Sequence, residues 1–303
     1  MSSTKPLASW NDGPATQAII EFVTVSATEG STGFIPAADR IAAFDNDGTM
    51  WVEQPAPVQI DFLLQKFVMQ AQADPLLASK QPYKAIIEKD QSFFADVAVQ
   101  KPEAIQSLLE AIGKAWEGTT PDEFEADVKE FLATAKDKKF GRAFTDLVYQ
   151  PMLELFDFLK ANDYRVYVCS GGGRDFMRVI SEDSWRIGKE YVIGTDVEYE
   201  YKDGKFVRQA KLHGGLALGP GKPEHIFART GRVAAFAAGN ADVDIEMLET
   251  AQFSLLIVHD DDGREYAYTK GAEKSVVAAK KHGWTLVSVK NDWKTVFVAP
   301  KGA

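Results

Sequence analysis

Covalent cross-links, membrane spans and a surplus of positive charge are all missing from this sequence. A single cysteine, Cys169, among 303 residues rules out an internal disulfide framework. No run reaches the ~18 consecutive apolar residues of a spanning helix, so membrane insertion is not expected. Acidic residues outnumber basic ones 44 to 34, for a formal net charge of −10. With no cationic excess to replace phosphate counterions, a nucleic-acid partner is not expected either. The opening residues, Met-Ser-Ser-Thr-Lys-Pro-Leu-Ala-Ser-Trp, hold no apolar signal core. We therefore expect a cytoplasmic protein or, as the alternative, an exported one whose leader is absent from this sequence. Internal repeats and low-complexity segments are lacking too. What is present is ordinary globular composition, 45% apolar and 26% charged, in a length that suits one large domain or two smaller ones. The oligomeric state is not written in these numbers.

The most informative stretch is Ile41-Ala-Ala-Phe-Asp-Asn-Asp-Gly-Thr49. Four apolar residues suit a strand buried on both faces of a parallel sheet. Asp45 would stand at its carboxyl end, where open α/β sheets place ligands. Asp45 and Asp47 share a side of an extended chain. Two such carboxylates repel unless a cation lies between them. Gly48 permits a sharp turn, and Thr49 offers a hydroxyl. An Asp-Asn-Asp-Gly turn with no ligand is the plainer reading of the same residues.

Before this strand, Thr16 to Val25 reads as a helix. After Trp51 no strand pattern appears for about a hundred residues. Helical patterns run Val58–Ala73, Tyr83–Val97, Pro102–Trp116 and Pro121–Ala135, the last opened by Thr120-Pro121-Asp122-Glu123, a capping box with proline at the first helical position. Strands then alternate with helices again. Pro151–Ala161 is helical, Arg165–Cys169 is a strand running into Ser170-Gly171-Gly172-Gly173, and a helix starts near Arg174. A hairpin turning at Asp203-Gly204 follows. Pro223–Arg229 is a short helix, Val233–Ala238 a buried strand, and Phe253–Val258 and Trp284–Val289 further strands. The pattern predicts an α/β fold, a Rossmann-like parallel sheet core with an inserted all-helical cap domain. Residues 1–51 and 149–303 would form the core and residues 52–148 the cap.

Three later stretches carry chemistry. Ser170 ends a strand before three glycines and a helix start, where backbone amides such as that of Gly171 gather around an anion. Lys222, in Gly219-Pro220-Gly221-Lys222-Pro223, precedes a predicted helix whose dipole favours an anion beside it. Lys211 and Lys189 compete less well, since neither immediately precedes a clear helix start. Gly239-Asn240-Ala241-Asp242-Val243-Asp244 follows the Val233–Ala238 strand.

Taken in order, these four stretches resemble the four motifs of the haloacid-dehalogenase-like phosphohydrolases. The helical insert between the first two is similar to that of the phosphoserine-phosphatase-like branch. The resemblance implies that Asp45 is a nucleophile, that Asp47 is a general acid and base, and that Ser170, Gly171 and Lys222 bind phosphate. It further implies a magnesium ion held by Asp45, Asp47, Asn240 and Asp244, and a small phosphorylated metabolite as substrate. Asn240 stands where the family has an aspartate. Its amide oxygen can coordinate, but it brings no charge, and Asp242 is an alternative ligand if the loop is rearranged. Glu53 and Arg174 follow the first and second motifs and are expected to face the substrate. Trp51 reads as an aromatic at the domain junction. The implied activity is a magnesium-dependent phosphatase. The alternatives are phosphoryl transfer to another acceptor, pyrophosphate hydrolysis, or a phosphate-binding protein without turnover.

Overall fold

Ile41–Phe44 forms strand β1, and all four of its side chains are buried. Successive residues face opposite sides of the sheet. Ala42 and Phe44 enter one apolar cluster, with Val166, Val168, Phe236 and Leu255. Ile41 and Ala43 enter another, with Tyr167, Ala237 and Leu256. A strand covered on both faces needs apolar residues at every position, which is why this run shows no alternation.

The computed structural model describes residues 6–98 and 101–300. The further strands are β2 (Arg165–Gly173), β3 (Val192–Thr195), β4 (Val197–Lys202), β5 (Lys205–Leu212), β6 (Phe236–Gly239), β7 (Phe253–Val258) and β8 (Thr285–Ser288). Six of them form one sheet in the order β3-β2-β1-β6-β7-β8, every pair parallel. The remaining two, β4 and β5, form a separate antiparallel hairpin that turns at Asp203-Gly204, both with positive φ. Helices Pro14–Ala27, Gln150–Ala161, Arg174–Trp185, Gly221–Thr230 and Glu273–His282 flank the sheet. From β1 the sheet continues to β2 on one side and to β6 on the other. The carboxyl ends of these three strands therefore surround a switch-point crevice.

Among the described residues of 58–134 the regular elements are helical: Val58–Ala73, Tyr83–Glu88, Gln91–Ala98, Pro102–Ala115 and Pro121–Thr134, with a 3-10 turn at Leu77–Ser79. The Thr120–Glu123 capping box is formed in both directions, and the glutamate accepts the Thr120 N–H at 2.7 Å. The expected single helix over Tyr83–Val97 is two. Lys89 turns left-handed at φ 54°, and Asp90 Oδ1 takes the Ser92 N–H at 2.9 Å. A short polar side chain that captures a backbone donor restarts the helix rather than continuing it.

Phe62 is the hub of this segment. It stacks on Trp116 at 4.8 Å, meets Phe124 edge-on at 6.0 Å, and lies 5.4 Å from Phe176 of the Arg174–Trp185 helix. The helical segment and the sheet's flanking helices thus share one apolar cluster. The segment leaves and re-enters the sheet region side by side. Val52 N–H donates to Leu147 at 3.1 Å, and Tyr149 N–H donates to Met50 at 2.9 Å. Among the described residues no helix is long and apolar enough to cross a membrane.

Candidate active site

Asp45 leaves β1 with its N–H still bonded to Ala238 of β6, at 2.9 Å. The chain then turns at Gly48, whose φ is +74°. A Cβ there would collide with the Asn240 amide, so both conformation and close approach require glycine. This contact brings the first and fourth motifs together. Thr49 Oγ1 donates to Asn240 Oδ1 at 3.1 Å, and Asn240 Nδ2 donates to Glu53 Oε2 at 3.1 Å.

Lys222 is completely buried. Its Nζ bridges two carboxylates, donating to Asp45 Oδ1 and, at 2.5 Å, to Asp244 Oδ1. Asp244 Oδ2 accepts the N–H groups of Asn240 and Ala241, each at 3.0 Å. The helix expected to begin after Lys222 begins at Gly221, so the lysine lies within its first turn. Lys211 instead pairs with Glu198 on the exposed hairpin, and Lys189 pairs with Glu125.

The titration of these carboxyls is governed first by burial. Burial pushes the Asp45 carboxyl well up, and the Asp244 charge adds to this against the pull of Lys222. Burial lifts Asp47 to about 6, opposed by hydrogen bonds from Trp51 Nε1 at 2.9 Å and Asn46 Nδ2 at 3.1 Å. Glu53 rises to about 7, again chiefly through burial, opposed by the Tyr268 hydroxyl at 2.7 Å. For Lys222 burial acts downward, but the attraction of Asp244 and Asp45 outweighs it and holds the ammonium above its ordinary range.

The donor set bears on the implied ion. Among the described residues no three carboxylate, histidine or cysteine side chains converge as a metal cluster. Asp45 gives one carboxylate oxygen, Oδ1, to Lys222, and the Asn240 amide oxygen accepts the Thr49 hydroxyl. Magnesium commonly takes one or two carboxylates and completes its shell with water and substrate oxygens. A carboxylate, an amide oxygen and an excess of buried negative charge fit such an ion. Asp244 meets Lys222 through Oδ1 and two backbone amides through Oδ2. Asp242 Oδ1 accepts the N–H groups of Lys274 and Ser275, each at 2.8 Å, at the start of the Glu273–His282 helix.

Asp45, Asp47, Glu53, Ser170, Gly171 and Lys222 line one cavity of about 260 Å³. Ser170 Oγ accepts the Gly172 N–H at 3.0 Å, and Gly171 O accepts the Thr195 hydroxyl at 2.8 Å. Arg174 lies elsewhere. Its guanidinium pairs with Asp196 and Asp175 and borders a separate cavity of about 340 Å³. The reason is that β2 continues through Gly173. Three further strand residues, with a register shift between Ser170 and Gly173, separate Ser170 from the helix that Arg174 opens.

Several site residues escape the sequence reading. Gln59, on the first insert helix, accepts the Gly173 N–H at 2.7 Å and lines the cavity. Trp51 orients Asp47 through its indole N–H, besides packing edge-on against Trp185 at 6.1 Å. His259 bonds Gly48 O at 2.8 Å and Glu265 at 2.9 Å, and stacks on Tyr268 at 4.5 Å. Only Trp51, four residues from Asp47, carried any local signal.

Carboxylates thus gather at the switch point of a parallel sheet, where open α/β folds bind their ligands. Residues 42–249 match the model of the haloacid dehalogenase-like hydrolases, and the chain belongs to that family. Solved structures share the fold. A protein of unknown function from Bordetella pertussis Tohama I is 15% identical, with 82% of this chain and 98% of that chain covered and a TM-score of 0.55. A conserved protein of unknown function from Anaerococcus prevotii DSM 20548 is 14% identical, with 96% and 98% covered and a TM-score of 0.60. Cytosolic 5'-nucleotidase IIIB bound to cytidine is 12% identical, with 92% and 86% covered and a TM-score of 0.50. At such identities the likeness is one of fold. No curated protein matches the sequence.

Proposed function

We propose that the chain is a magnesium-dependent phosphatase that hydrolyses a small phosphomonoester through an aspartyl-phosphate on Asp45. The observation that carries this reading is the buried Asp45–Lys222–Asp244 bridge opening on the cavity lined by Ser170. In the first step an Asp45 oxygen attacks phosphorus, the bond from phosphorus to the alcohol oxygen breaks, and Asp47 gives that oxygen its proton. In the second step water attacks the aspartyl-phosphate, yields a proton to Asp47 and frees inorganic phosphate. Lys222 and Ser170 hold the phosphoryl oxygens. Asp244 holds Lys222 in place. Asp45, Asn240 and the Asp47 carbonyl would hold magnesium, which supplies the positive charge that keeps Asp45 ionised beside an anionic ester. Residues 52–148 act as the cap domain over a core of residues 1–51 and 149–303, and exclude water from the reaction. The placement of this cap agrees with the phosphoserine-phosphatase-like branch.

A phosphate-binding protein without turnover is the second reading. Asn240 favours it, since a neutral side chain stands at a ligand position. Hydrolysis of p-nitrophenyl phosphate by the purified protein, with and without magnesium, separates the two. Phosphate release that requires the ion supports the phosphatase. Binding of phosphate with no release over background supports the second reading.

A further inference from the structure

We infer that the alcohol of the ester is apolar and about the size of one aromatic ring, and that it lodges in a second chamber beside the phosphoryl cavity. This deepens the phosphatase reading and rests on it. The two chambers share a wall, because Gln59, Ile60, Gly171 and Gly172 line both. The glycines make that wall thin. A Cβ on Gly171 would lie 2.6 Å from Leu218 Cδ1, and one on Gly173 would lie 2.7 Å from the Gln59 amide. The second chamber thus adjoins the place where an alcohol bonded to a phosphoryl group at Ser170 would sit, and on this inference the alcohol passes Gln59 to enter it.

That chamber holds about 170 Å³. An apolar cavity of ~150 Å³ takes up benzene, so one ring fits and a fused pair does not. Leu63, Ile112, Trp116, Phe124, Phe176 and Leu216 are among its lining residues. The charged groups at its edge are already satisfied. Arg208 donates to Asp175 at 2.6 Å and to the Tyr199 hydroxyl at 2.7 Å, with its guanidinium 4.1 Å over the Phe124 ring. Trp116 Nε1 donates to Asp127 at 2.8 Å. Among the described residues of this lining, no unpaired cation or carboxylate is left to meet the ammonium and carboxylate of an amino acid. A zwitterion or polyol would surrender its water without replacement, whereas an apolar ring gains by leaving water.

The test compares kcat/KM for benzyl phosphate, O-phosphoserine and a hexose 6-phosphate, all esters of alkyl alcohols, with magnesium present. Acetyl phosphate serves as a probe that barely enters the chamber. We expect benzyl phosphate to lead phosphoserine and the hexose ester by about 100-fold, since a misfit in an apolar pocket costs 10- to 200-fold per group. Ile112→Trp, at a half-buried position, fills the chamber and should lower the ratio of benzyl to acetyl phosphate kcat/KM about tenfold or more. Leu216→Ala enlarges it and should raise the ratio of naphthylmethyl to benzyl phosphate. Equal kcat/KM for benzyl phosphate and phosphoserine, or unmoved ratios in both variants, overturns the inference while the phosphatase stands. If acetyl phosphate is not hydrolysed either, the phosphatase reading fails and this inference falls with it.

Discussion

Replacing Lys222 by methionine tests the centre of the site without any assay of activity. The ammonium is completely buried and touches a carboxylate oxygen on each side. Methionine keeps most of the volume and removes the charge. Two oxygens that touched one nitrogen lie within about 5 Å of each other, and like charges at that distance repel by about 3 kcal/mol at an effective dielectric of ~20. Breaking a buried ion pair by removing one partner costs about 3–5 kcal/mol by mutational experience, so the two estimates agree. The loss must depend on pH. In the native protein the Asp45 carboxyl is already pushed up by burial and by Asp244, and without Lys222 it rises further. The folded variant then holds a proton that the unfolded chain has released. Its stability falls as pH rises through the folded value and returns as pH drops towards the ordinary carboxylate range. Urea unfolding followed by tryptophan fluorescence, at about pH 7.5 and about pH 5, measures both effects. A loss below about 1 kcal/mol at the higher pH, or an equal loss at both, would refute the bridge as drawn.

Four shorter predictions accompany it. Asp45→Asn should abolish phosphate release while leaving the circular dichroism spectrum unchanged, and a residue of more than a few per cent of activity would exclude the covalent route. With Asp47 as the acid of the first step, kcat/KM should fall as pH rises through about 6. Trp51→Phe removes a donor that favours the ionised Asp47, so the midpoint of that limb should move upward, and an unmoved midpoint would detach Asp47 from it. Asn240→Asp brings charge to the metal position but sets it against Glu53, now 3.1 Å from the Asn240 amide. Calorimetric titration should therefore show tighter magnesium binding in Asn240→Asp with Glu53→Gln than in Asn240→Asp alone, and equal affinities would place the ion elsewhere.

Much of this site was legible because each catalytic candidate follows a local signal. Asp45 follows an apolar run, Ser170 ends a strand before glycines, and Lys222 and Asp244 flank helix starts. The unbroken burial of Ile41–Phe44 came through for the same reason. Arg174 was misplaced because adjacency in sequence was read as adjacency in space, while its guanidinium turns to Asp175 and Asp196. Gln59, His259 and Tyr268 had no signature. They reach the site through packing between distant elements, and nothing in their own neighbours marks a residue whose partner lies more than a hundred positions away. Asp244 carried a local signal whose partner in this structure is Lys222. Its neighbours suggest a metal ligand, and only the three-dimensional position of Lys222 shows that pairing.

The ring cluster around Phe62 has a consequence for how the protein melts. Phe176 belongs to a helix on the sheet, yet its neighbours at 5.4 and 6.5 Å are Phe62 and Phe131 of the insert. Cutting out residues 58–134 would bare that face to water and leave an adhesive surface instead of a smaller stable protein. Heating should likewise not release the helices first and the sheet later. A probe at Trp116 and one at Trp293 should report the same midpoint, because the cluster that buries the first is continuous with the cluster that buries the second.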